Sequence, residues 1–417
     1  SNSARSSMKT ATKQKLTHGN FIKFMESHDR DVRKNAYNAV YDAYKELINT
    51  IASAYNYNTK TDVVSARIRK YESARAAALS GDNIPAEVYD NLVAEVHKNL
   101  PAMHRYVELR KKLLGVDKLY MYDMYVPLIK LPETSVSFEE GLDIMRDALQ
   151  PLGEEYLTKM NKGIEEGWID VYENKGKTSG AYSFGCYDSY PYILLNYTDT
   201  LKDVFTIIHE MGHSMHSRYT RDEQPYIYGS HSIFTAEVAS TVNESLLMQH
   251  LLRTEDEKEM RKYLLNMHLE EFRTTLFRQT MFAEFEDITH KTIESGETLT
   301  AEWMCQQYED LNAQYYGSAV EKDDVIRYEW ARIPHFYNAF YVYKYATGYS
   351  AATAISKKIL TEGKPAAQDY IRFLKTGESD HPIELLKIAG VDMSSPLPVQ
   401  QAMETFNQLL DEFESLL

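Results

Sequence analysis

Two histidines four residues apart, with a glutamate between them, stand out as groups that could hold a metal and move a proton: His209-Glu210-Met211-Gly212-His213. On a helix, positions four apart lie ~40° apart around the axis and ~6 Å along it, so both imidazoles can reach one ion. Glu210 stands about 100° round from His209, where its carboxylate can reach a water beside that ion without being a ligand. The spacing is that of the HExxH zinc motif. A catalytic zinc wants three protein ligands and one open position. In the extended form of the motif a third histidine stands six residues after the second, but that position is Tyr219. His216 lies one turn on from His213 and reads as packing or as support for a ligand. Downstream, Glu237 and Glu244 are seven apart, nearly on one face of a second helical stretch, and either can complete a His/His/Glu set. Glu223, in a polar loop, is the weaker candidate.

These residues need helices to position them, and the sequence supplies them. Residues 200–218 carry Val204, Ile207, Ile208, Met211 and Met215 at helical spacing, and residues 234–252 carry Val238, Val242, Leu246 and Met248. Upstream, a long amphipathic helix is expected over 32–54, followed by helices over 63–79, 87–99, 102–114, 138–150 and 151–167. Pro85 is placed to open the third of these and Gly115 to close the fourth. Between 168 and 197 the pattern changes. Residues 168–172 alternate, 173–176 read as a turn, and 181–184 and 192–196 read as short strands. From 200 onward the chain returns to helix. The expected fold is mainly α, with a small β-sheet beside the HExxH helix.

Composition sets outer limits. The chain has 417 residues, 43% hydrophobic, enough for a large core. Its net charge of −15 argues against a nucleic-acid binder, which needs a basic face. No run of ~18 apolar residues is present, so no membrane span is expected. Two cysteines, Cys186 and Cys305, make no disulfide framework, and a reducing cytoplasm is the expected compartment. Residues 1–7 read as a tag remnant or an unstructured start, 8–165 as a helical lobe, and 166–417 as a catalytic lobe containing the sheet.

Five segments together resemble oligoendopeptidase F, in the thimet oligopeptidase and neurolysin group of zinc metallopeptidases. They are Ser-Gly-Ala-Tyr-Ser at 179–183, Pro-Tyr-Ile-Leu-Leu-Asn at 191–196, the HExxH segment, Phe-Thr-Ala-Glu-Val-Ala-Ser at 234–240, and the tract 332–348 from Arg-Ile-Pro-His to Ala-Thr-Gly. The resemblance runs from about residue 17 to the C-terminus, and full-length members carry a further helical region before this point. It implies one zinc ion held by His209, His213 and Glu237, with Glu244 orienting a ligand imidazole. It also implies a two-lobed helical clamshell with a deep substrate channel over the metal, and short unfolded peptides as substrates.

The implied chemistry is hydrolysis by zinc-activated water, with Glu210 as general base. The oxyanion needs donors besides the metal. The resemblance implies His and Tyr donors from the tract after 334: His335 with Tyr337, Tyr341 or Tyr345. The tyrosines recur every fourth residue, as on one helical stripe, and Tyr341 in its middle is the first choice. The strand at Gly180, Ala181 and Tyr182 offers an edge on which a peptide can pair. The loop holding Gly229 and His231 is placed to touch substrate. Two other functions compete. A zinc carboxypeptidase or peptidyl-dipeptidase needs a basic clamp for a free carboxylate, for which Arg332 and Lys344 are candidates. A non-catalytic metal-containing peptide-binding protein would want four protein ligands, commonly including Cys. Self-association is a further expectation.

Overall fold

The computed structural model describes residues 16–17, 19–130 and 134–417. The expectation for residues 1–7 lies outside them. The described chain is mainly helical, with three short strands.

The longest helix, Arg30–Ile68, starts where Asp29 accepts hydrogen bonds from the Asp31 and Val32 amides. It does not break after residue 54, and the helix expected over 63–79 is corrected. The first helix continues to Ile68, the chain turns at Lys70 with φ +65°, and a separate short helix, Ala74–Ser80, follows. The polar run from Asn56 to Asp62 hid this continuity. It contains neither Gly nor Pro, and its inner face stays buried through Tyr55, Asn56, Thr59 and Val63. Asn56 earns its buried place by accepting the Leu299 amide at 3.1 Å. Other helices fall near their expected places: Ala86–Lys98 behind Pro85, and Leu100–Leu114 closed by Gly115 at φ +62°.

The sheet has the order β1-β3-β2. Strand β1 (Ile169–Asp170) runs parallel to β3 (Tyr192–Leu194), and β2 (Tyr182–Phe184) pairs antiparallel to β3 with Ser183 opposite Ile193. The strands are shorter than the sequence pattern implies, and β2 lies at the edge.

The HExxH helix, Leu201–Glu223, opens with a capping box in which Thr200 and Asp203 exchange side-chain and backbone hydrogen bonds. Its inner face, Val204, Ile207, Ile208, Met211 and Met215, is fully buried. It packs closely on the next long helix, Ile233–Thr254. At the crossing, Gly212 leaves no room for a side chain: a Cβ there would lie 2.6 Å from the Ser240 Cα. Asn243 fixes the same contact by donating to the Ile208 carbonyl at 3.2 Å. Ile233–Thr254 also packs on Tyr343–Glu362, where the Ser245 and Ser356 hydroxyls meet at 2.7 Å. The sheet is tied to the HExxH helix through Ser214, which reaches the Pro191 carbonyl at 3.1 Å and the Ser183 hydroxyl at 2.7 Å.

Helices from the N-terminal third of the chain meet the segment 270–332 over ion networks. Glu329 pairs with Arg278 at 2.7 Å and Arg332 at 2.9 Å, and accepts from Tyr41 of the helix Arg30–Ile68 at 3.0 Å. Glu270 pairs with Arg110 at 2.7 Å and Arg273 at 2.6 Å. Among the described residues no helix is long and apolar enough to cross a membrane.

Candidate active site

The two imidazoles of the HExxH segment project from one face of their helix, with Nε2 atoms 3.2 Å apart. Glu237, one turn into the next helix, brings Oε2 to 3.5 Å from His209 Nε2 and 3.4 Å from His213 Nε2. The donor atoms of His209, His213 and Glu237 all lie within 4.8 Å of one another. Two imidazole nitrogens and one carboxylate oxygen converging in this way fit a catalytic zinc site, whose remaining position stays open. The electrostatics favour a cation there. Burial opposes charge on His209, but the Glu244 hydrogen bond and the nearby Glu237 and Glu210 outweigh it and lift its pKa to about 9. Hydrogen bonding with His213 holds Glu237 down to about 2 against its burial, with both imidazoles and the Ser240 hydroxyl contributing.

The two glutamates left open by spacing alone stand in different places. Glu237 faces the Nε2 atoms, whereas Glu244 Oε2 is 3.2 Å from His209 Nδ1. A carboxylate there fixes the tautomer and orientation of the ring and leaves Nε2 free for a metal. Glu210 is buried beside the histidines, and burial raises its pKa despite their proximity; the Ser183 backbone hydrogen-bonds to its carboxylate. The edge strand β2 therefore borders the site.

His216 is fully buried away from the converging Nε2 atoms, stacked on His231 with ring centroids 3.8 Å apart and tilted against Phe373. Burial keeps both rings neutral, with His231 pushed down to about 4. These two histidines hold the loop between the two ligand helices. Gly229 sits in that loop because a Cβ would meet the Tyr187 ring at 2.6 Å. Gly180, at φ +91°, turns the chain into β2 and offers its carbonyl to Asn196 at 2.9 Å. Ala181 is half-buried and Tyr182 is exposed on the strand.

The expected helical stripe of tyrosines is corrected. The tract forms a short 3₁₀ turn, Pro334–Tyr337, then an irregular bend with Phe340 at φ +55°, and becomes helical only at Tyr343. Pro334 and the buried Phe336, Phe340 and Val342 impose this alternation. The bend still brings three of the four candidates together. His335 stacks on Tyr341 at 5.7 Å, Tyr345 meets Tyr341 edge-on at 5.5 Å, and Tyr345 Oη is 3.4 Å from His335 Nε2. Burial, Tyr341 and the charge of Glu237 all raise the Tyr345 pKa, so its phenol keeps its proton and lies within the field of the Glu237 carboxylate. Tyr337 is apart from this cluster, packed edge-on against Tyr55 at 5.8 Å.

Three supporting residues lie within the motif segments but are given no role there: Gly212, Ser183 and Ser240. Gly212 carries a signal in retrospect, since a glycine inside a helix is costly unless something approaches it closely. The hydrogen bonds of Ser183 to Glu210 and of Ser240 to Glu237 Oε2 at 3.1 Å depend on which faces meet, and the sequence carries no local sign of them.

Peptidase family M3 matches residues 23–405 of the chain. The chain is 53% identical over 404 residues to Oligopeptidase PepF of Bacillus subtilis, covering 97% of this chain and 60% of that protein. It is 46% identical over 402 residues to an Oligoendopeptidase F homolog of Lactococcus lactis, covering 96% of this chain and 67% of that protein. The solved structure of oligoendopeptidase-F from Enterococcus faecium matches with a TM-score of 0.81 at 41% identity, covering 97% of this chain and 66% of that one. The chain thus spans roughly three-fifths to two-thirds of the length of these relatives.

Proposed function

This chain belongs to peptidase family M3, and from that premise we propose that it is a zinc-dependent endopeptidase that hydrolyses short unfolded peptides. The observation that carries the reading is the convergence of His209, His213 and Glu237 within 4.8 Å, with Glu210 buried beside them. One zinc ion, when bound, supplies Lewis acidity that activates water and polarises the scissile carbonyl.

The chain's own residues do the rest. Glu210 takes the proton of the attacking water and returns it to the leaving amine, and burial gives its carboxylate the raised basicity this requires. Glu244 holds the His209 ring in one orientation. Tyr345, with His335 and Tyr341 around it, donates a neutral O–H to the developing oxyanion. The β2 edge offers backbone groups to an extended peptide, whose affinity then depends little on its side chains. Exposed Tyr182 and Phe184 line that strand, and the loop at Gly229 and His231 is proposed as a further substrate contact. In this reading the described residues among 8–165 belong to one lobe of the clamshell and 166–417 to the other, and peptides in the cytoplasm are the partners.

The carboxypeptidase reading is less well supported because its candidate clamp is engaged elsewhere. Arg332 is bound to Glu329 at 2.9 Å and to Tyr41 at 2.9 Å, and Lys344 is bound to Asp82 at 2.8 Å. Neither cation is left over for a substrate carboxylate. Digestion of a mixed peptide set, read by mass spectrometry, separates the two. Cuts at internal bonds support the endopeptidase, and stepwise loss from the C-terminus supports the alternative.

A further inference from the structure

Phe340 has an unusual backbone. It lies at φ +55°, a conformation that costs an L-residue with a large side chain, and its ring is buried. The residue stands in the middle of the bend between the Pro334–Tyr337 turn and the helix that begins at Tyr343. His335 precedes the bend, and Tyr341 and Tyr345 follow it. A change at Phe340 would therefore rotate the histidine away from both tyrosines.

Local backbone hydrogen bonds tie the two ends of the bend, from Asn338 to the His335 carbonyl at 2.9 Å and from Tyr345 to the Val342 carbonyl at 3.2 Å. The centre is tied from outside. The Phe340 amide donates to Oε1 of Glu286 at 2.6 Å. Glu286 belongs to the helix Arg278–Glu294, more than fifty positions away in sequence, and is completely buried.

Glu286 is a costly residue to keep there. Its second oxygen, Oε2, is buried without a hydrogen-bond partner, and its charged neighbours, Asp62 and Asp287, are acidic. Burial pushes its pKa well above the usual carboxylate range. A buried acid with no cation and one orphaned oxygen destabilises its surroundings unless the bond it does make is needed. That bond is the one to the Phe340 amide.

We propose that Glu286 is a positioning residue for the reaction: by accepting the Phe340 amide it locks the bend in the conformation that assembles His335, Tyr341 and Tyr345 into one donor cluster. The catalytic part of this inference rests on the peptidase reading above. The structural part, that Glu286 sets the order of the bend, does not.

The test compares Glu286→Gln, which keeps an acceptor oxygen, with Glu286→Leu, which removes it at similar volume. Glu286→Gln should hold kcat within about two-fold of the parent, while Glu286→Leu should lower kcat by about 10²-fold with KM and zinc content unchanged. Glu286→Met carries the same expectation as Leu and adapts more readily should the Leu variant not fold. Amide hydrogen exchange over residues 338–345 is read on the same proteins and needs no turnover. Exchange there should quicken in the Leu or Met variant and stay slow in the Gln variant. An inert parent protein would overturn the peptidase reading, with hydrogen exchange still deciding the role of Glu286. Parent-like exchange in the Leu or Met variant overturns the inference. So does a normal kcat in an active background, or zinc content that falls in step with kcat.

Discussion

Glu237 and Glu244 are two turns apart on one helix, and seven-residue spacing alone leaves either free to be the ligand. The geometry separates them, because one faces the Nε2 atoms and the other the Nδ1 of His209. Glu237→Gln should therefore lose most bound zinc after dialysis, while Glu244→Gln keeps more of it, by elemental analysis of both. The reverse ranking would transfer the ligand role to Glu244. Among the tyrosines, the bend moves the choice from Tyr341 to Tyr345, whose phenol touches His335 and feels the charge of Glu237. Tyr345→Phe should lower kcat by ~10²–10³-fold, the loss typical of one oxyanion donor, with KM, zinc content and Tm little changed. Tyr337→Phe should turn over normally, since Tyr337 packs against Tyr55. If the two variants exchange these behaviours, the donor has been misplaced. The convergence of His209 and His213 was legible in the sequence because HExxH spacing puts both imidazoles on one helix face. The choice between tyrosines was not, because periodicity assumes a continuous helix, and Pro334 with three buried apolar residues replaces it by a bend.

The elements that position the site are two helices whose contact depends on one missing side chain. Gly212→Ala would place a Cβ 2.6 Å from the Ser240 Cα and 2.7 Å from the Ala239 carbonyl oxygen. Backbone has to move, at a cost of about 1–3 kcal/mol, which outweighs the ~1 kcal/mol of helix propensity that Ala gains over Gly. Both Tm and zinc affinity should fall, because Ser240 and Glu237 share the displaced turn. A more stable variant with unchanged zinc affinity would show that the helices do not meet this closely. The motif helix and the helix that follows it could be read from apolar spacing. The continuous helix to Ile68 could not, because its outer face from Asn58 to Asp62 is too polar to show a period. The long-range ion networks were equally hidden, since Tyr41 and its partner Glu329 are 288 positions apart. They have a measurable consequence. Burial would raise the pKa of Glu329, but Arg278 and Arg332 outweigh it and lower the value to about 2; Arg110 and Arg273 do the same for Glu270. In the unfolded chain glutamate titrates near about 4.3, so this stabilisation is present above that pH and is lost as pH falls toward about 2. Tm should drop steeply below about pH 4.3. Glu329→Gln should lower Tm at neutral pH, by stranding two buried guanidinium groups, and should flatten that acid limb. A parallel acid limb in the variant would remove Glu329 from the account.

At the scale of the molecule, the chain reads as a helical frame that carries a candidate metal site on one pair of helices, a His/Tyr cluster on a third segment and a strand edge beside the HExxH helix. Such a site accepts an extended chain more readily than a folded one, so native, well-folded proteins should resist cleavage outside flexible loops while unfolded peptides are cut. The helix Arg30–Ile68 also leaves Tyr57, Val64 and Ile68 exposed on one face, at 65%, 51% and 75%. Self-association through that face is expected, and sedimentation across a concentration series checks it; a monodisperse monomer throughout would contradict it. The central claim, however, is that zinc at His209, His213 and Glu237 acts with Glu210 to hydrolyse internal peptide bonds. The most direct test is a mixed peptide set digested by the parent protein, by the chelated protein with zinc restored, and by Glu210→Gln, with cleavage sites read by mass spectrometry and zinc measured in each. The account predicts internal cuts by the parent, loss on chelation with recovery on zinc, and loss of activity in Glu210→Gln with zinc retained. Near-parental cleavage by zinc-loaded Glu210→Gln, or cleavage that persists in the fully chelated protein, would contradict it.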